Sequence, residues 1–174
     1  MPIISGKLRH RVTIQSPVTV SGEYGGTYET WFPYSGQEAS EWEEGTNSED
    51  AVEYEVGDIV YDPADNDKYY ICTKDHEAYD GEKPLAENSY WKEIDKDDFN
   101  KAFAWASVDP VRGREYWDAR QAQSEVEGKI IMRYRNNVTP DKRILFQGRP
   151  LEILAILNPQ ERKEQLEILY KEWQ

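Results

Sequence analysis

The feature that most limits the fold is a period of two. In residues 7–15, KLRHRVTIQ, Leu8, His10, Val12 and Ile14 fall on one face, and Lys7, Arg9, Arg11, Thr13 and Gln15 on the other. Successive side chains of a strand point to opposite sides of a sheet, so this pattern buries one face and leaves the other wet. Residues 127–137, EGKIIMRYRNN, repeat it: Ile130, Met132 and Tyr134 on one side, Lys129, Ile131, Arg133 and Arg135 on the other. Two more strands are expected in 139–159, joined by a turn at Gln147-Gly148-Arg149-Pro150. The runs 27–34 and 102–108 have strand composition as well. Residues 161–173 fit either state: Leu166, Leu169, Tyr170 and Trp173 make a helix face, while Leu166, Ile168 and Tyr170 alternate as in a strand. The best helix candidate is REYWDARQAQ (114–123), which has good helix formers and no Gly or Pro. The pattern predicts a mainly β body with one short helix.

Charge divides the chain a second way. Residues 36–100 hold 21 of the 34 acidic residues and 5 of the 21 basic ones, a net of −16, while the remainder carries +3. This segregation predicts an acidic unit set into a near-neutral body. Within the acidic stretch, Val56–Val60 and Tyr69–Thr73 read as two strands of a hairpin around the turn-rich DPADND (62–67). YWKEI (90–94) reads as a third strand, and DKDDFNK (95–101) as a charged connector. The expected organisation is a β body of residues 1–34 and 102–174, interrupted by a small all-β unit of residues 35–101. Insertions of this kind are tolerated at exposed loop tips.

Little in the chain points to catalysis. Cys72 is the only cysteine, so no disulfide can form within the chain, and it reads as a small apolar strand residue. His10 and His76 are the only histidines. They fall in different units without a ligand at metal spacing, His10 on a strand and His76 in a loop. There is no phosphate-binding glycine motif and no nucleophile elbow. No apolar run approaches the length of a membrane span, so a soluble protein made in the cytoplasm is expected, with no membrane partner and no cofactor or metal.

Two sets of residues remain as candidates for binding. The cations Lys7, Arg9, Arg11, Arg112, Arg114, Lys129, Arg133 and Arg135 could meet phosphate or an acidic protein surface. In the acidic unit Tyr61, Tyr70, Tyr79 and Tyr90 are candidates for stacking on sugar rings. Tyr54, Tyr69 and Trp91 are expected in its core, because a unit of this size needs most of its aromatics for burial.

Four blocks carry a family resemblance: GKLRHRVTIQ (6–15), GEYGGTYETW (22–31), WASVDPVRGREYWDARQAQSEVEGKIIMRYR (105–135) and TPDKRILFQGRPLEILAILNPQERKEQLEIL (139–169). In this order they resemble the head–tail joining, or head-closure, proteins of tailed double-stranded DNA phages. The resemblance implies a small β-barrel with a helix and no catalysis. It implies a ring of six or twelve copies in the virion neck, between portal or adaptor and the tail terminator or tail tube, with packaged DNA in its channel. The segment between Trp31 and Ala102 departs from that family. Trp42, Tyr54-x-x-Gly57-Asp58-x-Val60, Tyr69-Tyr70, Pro84 and Trp91-x-x-Ile94 resemble small chitin-binding-type carbohydrate modules, implying a host-surface glycan as a further partner. Where those modules often carry a Trp shortly before the Pro, this chain has Gly81, Glu82 and Lys83.

Overall fold

The structure, a computed structural model, describes residues 5–22, 25–33, 38–62, 65–79, 90–110 and 126–173. In chain order the strands are β1 (His10–Ser21), β2 (Thr27–Phe32), β3 (Ser40–Glu41), β4 (Val52–Tyr54), β5 (Ile59–Asp62), β6 (Asp65–Cys72) and β7 (His76–Ala78). They continue with β8 (Trp91–Ile94), β9 (Phe103–Pro110), β10 (Gly128–Arg133), β11 (Arg143–Phe146), β12 (Arg149–Leu157) and β13 (Gln165–Glu172). Two compact units divide the chain, residues 1–16 with 101–174, and residues 17–100. The dividing point falls within β1.

The first unit is a closed antiparallel barrel of six strands in the order β1-β9-β10-β13-β12-β11, with β11 pairing back onto β1. Closure leaves no free sheet edge among these six strands. The alternation read from the sequence sets the facing. Val12 and Ile14, Ala104 and Ala106, Ile130 and Met132, Ile144 and Phe146, Leu151 and Ile153, and Leu166, Ile168 and Tyr170 all point into one core. His10 turns to the same side, its ring edge-on to Phe146 at 5.1 Å. The register of β12 shifts between Ile153 and Ala155, a bulge that re-aims the last residues of the strand.

The ambiguous C-terminal run is a strand. It sits between β10 and β12, and Leu166, Ile168 and Tyr170 are buried while Leu169 lies on the outer side. A partner on each side decides the matter, since two ladders of backbone hydrogen bonds outweigh a modest helical preference. Another expected boundary moves: the run expected over 102–108 is a strand that continues to Pro110. The helix candidate at 114–123 lies outside the described residues, as do Arg112 and Arg114.

The second unit contains a sheet in the order β3-β5-β6-β8 and a two-stranded ladder of β4 and β7. The expected hairpin is present but displaced toward its turn, since β5 starts at Ile59 rather than Val56, with Val60 opposite Tyr70 and Tyr61 opposite Tyr69. β6 begins as early as Asp65, inside the stretch read as the turn. One face of this sheet joins Tyr54, Val60, Tyr70, Cys72, Ala78 and Trp91. The other joins Ile59 and Ile71 to Val18, Val20 and Phe32. The connector at 95–101 contains a short helix, α1 (Lys96–Asn100). The Asp95 carboxylate accepts the Asp97 backbone N–H at 2.7 Å, and Asp97 and Asp98 sit in the first turn, where negative charge suits the helix dipole.

Candidate functional site

The outer wall of the barrel gathers cations around one exposed indole. On β9, Ala104 and Ala106 face the core, so Phe103, Trp105 and Ser107 must face out. Trp105 is 61% exposed, the highest value among the large apolar side chains of the described residues. On the neighbouring β1, Arg11 lies directly across from Trp105, and its guanidinium sits over the Phe103 ring at 4.5 Å. On the other side β10 pairs Met132 with Ala106, which carries Arg133 outward beside Trp105. A cleft of about 420 Å3 opens here, lined by Leu8, Ala104, Trp105, Arg133 and Arg135.

The cations differ in how far they are already engaged. Arg135 donates to the Lys101 backbone carbonyl, and burial lowers its pKa from the usual guanidinium value. Arg9 donates through Nε to the Gly6 carbonyl at 2.9 Å and is otherwise exposed. Lys7 is exposed in the short 3-10 turn Ser5–Lys7. Lys129, further along β10, pairs with Glu167 at 3.5 Å. Among the described residues, Arg11 and Arg133 have no carboxylate partner. The structure therefore brings Arg11, Arg133 and Arg135 together and leaves Lys129 in an ion pair of its own.

Phe103 and Trp105 are the residues that sequence reasoning left without a role. A signal was present: a Trp flanked by Ala104 and Ala106 in an alternating strand must project from the face opposite the small residues. Guanidinium groups beside flat aromatic rings suit carboxylates, phosphates and protein surfaces. They supply neither a nucleophile nor a general base.

In the second unit most of the candidate tyrosines are occupied by their own neighbours. Tyr70 is 4% exposed and packs in the core. Tyr61 is half-buried, its ring 6.1 Å from that of Tyr69. Tyr90 stacks on the His76 imidazole at 4.5 Å, with the Lys74 ammonium 5.5 Å from its ring. Tyr79 is 36% exposed. Tyr54 and Trp91 are buried as expected, and Tyr69 packs against the edge of the core. His76 departs from expectation. It opens β7 rather than lying in a loop, because its ring fills a slot between Tyr54, Tyr90 and Trp91. Its Nδ1 approaches the Lys74 carbonyl at 3.1 Å.

The carboxylates of this unit are concentrated in space as well as in sequence. Glu53 and Glu77 are opposite each other across the β4–β7 ladder, and with Glu55 and Asp75 they rim a hollow of about 360 Å3. Like charges at directly opposed positions repel. No group of residues suited to hold a metal ion occurs among the described residues, and no described helix is long and apolar enough to cross a membrane.

No curated protein matches the chain. Among solved structures, the solution structure of protein SF1141 from Shigella flexneri 2a is similar, at 18% identity and a TM-score of 0.43, with 98% of this chain and 96% of that chain covered. The family model described as phage head completion protein matches residues 91–172, a stretch that contains five of the six barrel strands, β9 to β13. That match supports a phage head–tail joining family, and with it a structural rather than enzymatic role among the head and tail proteins of the virion.

Proposed function

We propose that the chain is a connector subunit of a phage neck. Copies assemble through their barrels into a ring of six or twelve, which closes the DNA-filled head under the portal or adaptor and offers a docking surface to the tail terminator or tail tube. The match of residues 91–172 to the head completion family carries this reading, because it falls on the strands that build the barrel. The cations of the outer wall support it, since a connector needs charged surfaces for neighbouring subunits and for DNA passing non-specifically through a channel. The second compact unit, residues 17–100, is an inserted module carried by that ring. Imaging of virions whose copy of this chain carries a label should place density at the head–tail junction. A chain absent from purified particles would overturn the reading.

The glycan alternative rests on the carbohydrate-module pattern and on the exposed ring of Tyr79. Affinity electrophoresis through gels holding chitin or host-wall glycan is its test: retardation that is lost on Tyr79→Ala supports it, and unchanged mobility of the parent chain rejects it.

A further inference from the structure

We propose that the cationic aromatic face around Trp105 binds the acidic stretch of a second copy of this chain. The proposal rests on the connector reading above and specifies one of its subunit contacts. Two patches on one molecule are each unfavourable alone and complementary to each other. On the barrel, Arg11, Arg133 and Arg135 crowd one exposed indole, and the first two have no carboxylate partner among the described residues. On the second unit, residues 38–67 hold twelve carboxylates and no lysine or arginine. Of these, Glu38, Glu41, Glu49, Glu53 and Glu55 are exposed. Glu53 faces Glu77 across a ladder, a repulsion that an incoming guanidinium relieves.

A second copy is a better occupant of the cationic face than DNA. The net charge of −13 opposes a second copy as it opposes DNA, so the preference is local: the face lies on a body of net +3, and residues 36–100 of the next copy carry −16 on a folded surface that can meet it. A patch that meets a different patch on the next copy is also the head-to-tail kind of contact from which rings are built.

The test uses the full chain and two charge reversals at exposed positions. One variant combines Arg11→Glu with Arg133→Glu; the other combines Glu49→Lys, Glu53→Lys and Glu55→Lys. Circular dichroism first establishes that each variant keeps the parent fold. If the barrel reversal does not fold, Arg11→Gln with Arg133→Gln replaces it. Sedimentation velocity and native mass spectrometry should find the parent chain associating at about 50 mM NaCl and at least tenfold more weakly at about 500 mM, because pairing of exposed charges is screened. Each reversed chain alone should be monomeric, and mixing the two reversed chains should restore association. Restoration on mixing identifies a contact between copies, since a contact within one chain would not respond to mixing. A parent chain that is monomeric under all conditions overturns the proposal, as does association unchanged by both reversals. It is likewise overturned if a DNA duplex binds through Arg11 and Arg133 while the copies do not associate. Closed rings that persist in the reversed variants leave the connector reading standing and remove this contact. Salt-sensitive open chains that never close leave the contact standing and count against the ring.

Discussion

At the scale of single residues, three buried groups make the first predictions. The Tyr54 hydroxyl accepts from the Glu43 backbone N–H at 2.9 Å and donates to the Glu43 carbonyl at 3.0 Å, which ties the loop after β3 to the core. Tyr54→Phe keeps the ring and strands both backbone groups, so it should cost about 1 kcal/mol in urea unfolding. Burial raises the pKa of both Tyr54 and Tyr170. Their protons are held more tightly in the folded chain than in the unfolded one, where a phenol ionises near pH ~10. The stability they lend is complete below that pH and is lost as pH rises through the folded value. The urea midpoint should fall above pH ~10, and less steeply in Tyr54→Phe or Tyr170→Phe than in the parent. Cys72 is fully buried and its thiol is pushed up to about 12, chiefly by desolvation. A thiolate-directed reagent at pH ~8 should leave the folded chain unmodified and titrate one thiol after denaturation. Fast labelling of the native chain would contradict the packing described for β6.

At the scale of elements, the β11–β12 hairpin turns on Gln147 and Gly148, both at positive φ, 51° and 79°, with Phe146 paired to Arg149. Two central residues with positive φ are the mark of the tight turn whose twist matches a hairpin. No heavy atom lies within 4 Å of where a Gly148 Cβ would sit, so Gly148→Ala should cost about 1 kcal/mol through backbone conformation alone. Gln147→Asn, which tolerates this conformation better, should recover a few tenths of a kcal/mol, both read as shifts in the thermal midpoint. This turn was legible in the sequence because Gln-Gly lies between two apolar alternating runs, and the barrel strands were legible for the same reason. β3, β4 and β7 were not. They are two or three residues long, too short for a period to register, and tertiary pairing holds them. Nor does alternation announce that Val18, Val20 and Phe32 pack with Ile59 and Ile71, since that depends on which sheet a strand meets. At the candidate site the cations were visible as a strand face. Their convergence on Trp105 was not, because it depends on the order β1-β9-β10, which joins residues more than a hundred positions apart in the chain. The pairing of Lys129 with Glu167 was hidden in the same way.

At the scale of the whole molecule, the two units have separate cores. Every residue of the barrel core lies in 1–16 or 101–174, and the two clusters of the second unit lie within 17–100. β1 and β9 are antiparallel neighbours with Thr13 opposite Phe103, and the Ile14 N–H donates to the Ala102 carbonyl at 2.7 Å. Two residues further along this register, Gln15 and Lys101 are close enough for a two-residue turn to join them. A chain of residues 1–15, Asn-Gly and residues 101–174 should therefore fold alone, with Asn-Gly supplying the positive-φ turn that a tight hairpin needs. Far-UV circular dichroism should report a β protein, and urea should unfold it in one cooperative step with a stability of about 5 kcal/mol. The same chain separates two explanations of self-association. It keeps Arg11, Trp105, Arg133 and Arg135 and lacks every carboxylate of residues 38–67. If the acidic stretch is what the cationic face binds, this barrel stays monomeric where the full chain associates, yet it joins full-length chains in a mixture and does so more weakly as salt rises. If barrel walls alone hold copies together, the excised barrel associates as strongly as its parent, and the acidic unit is cargo.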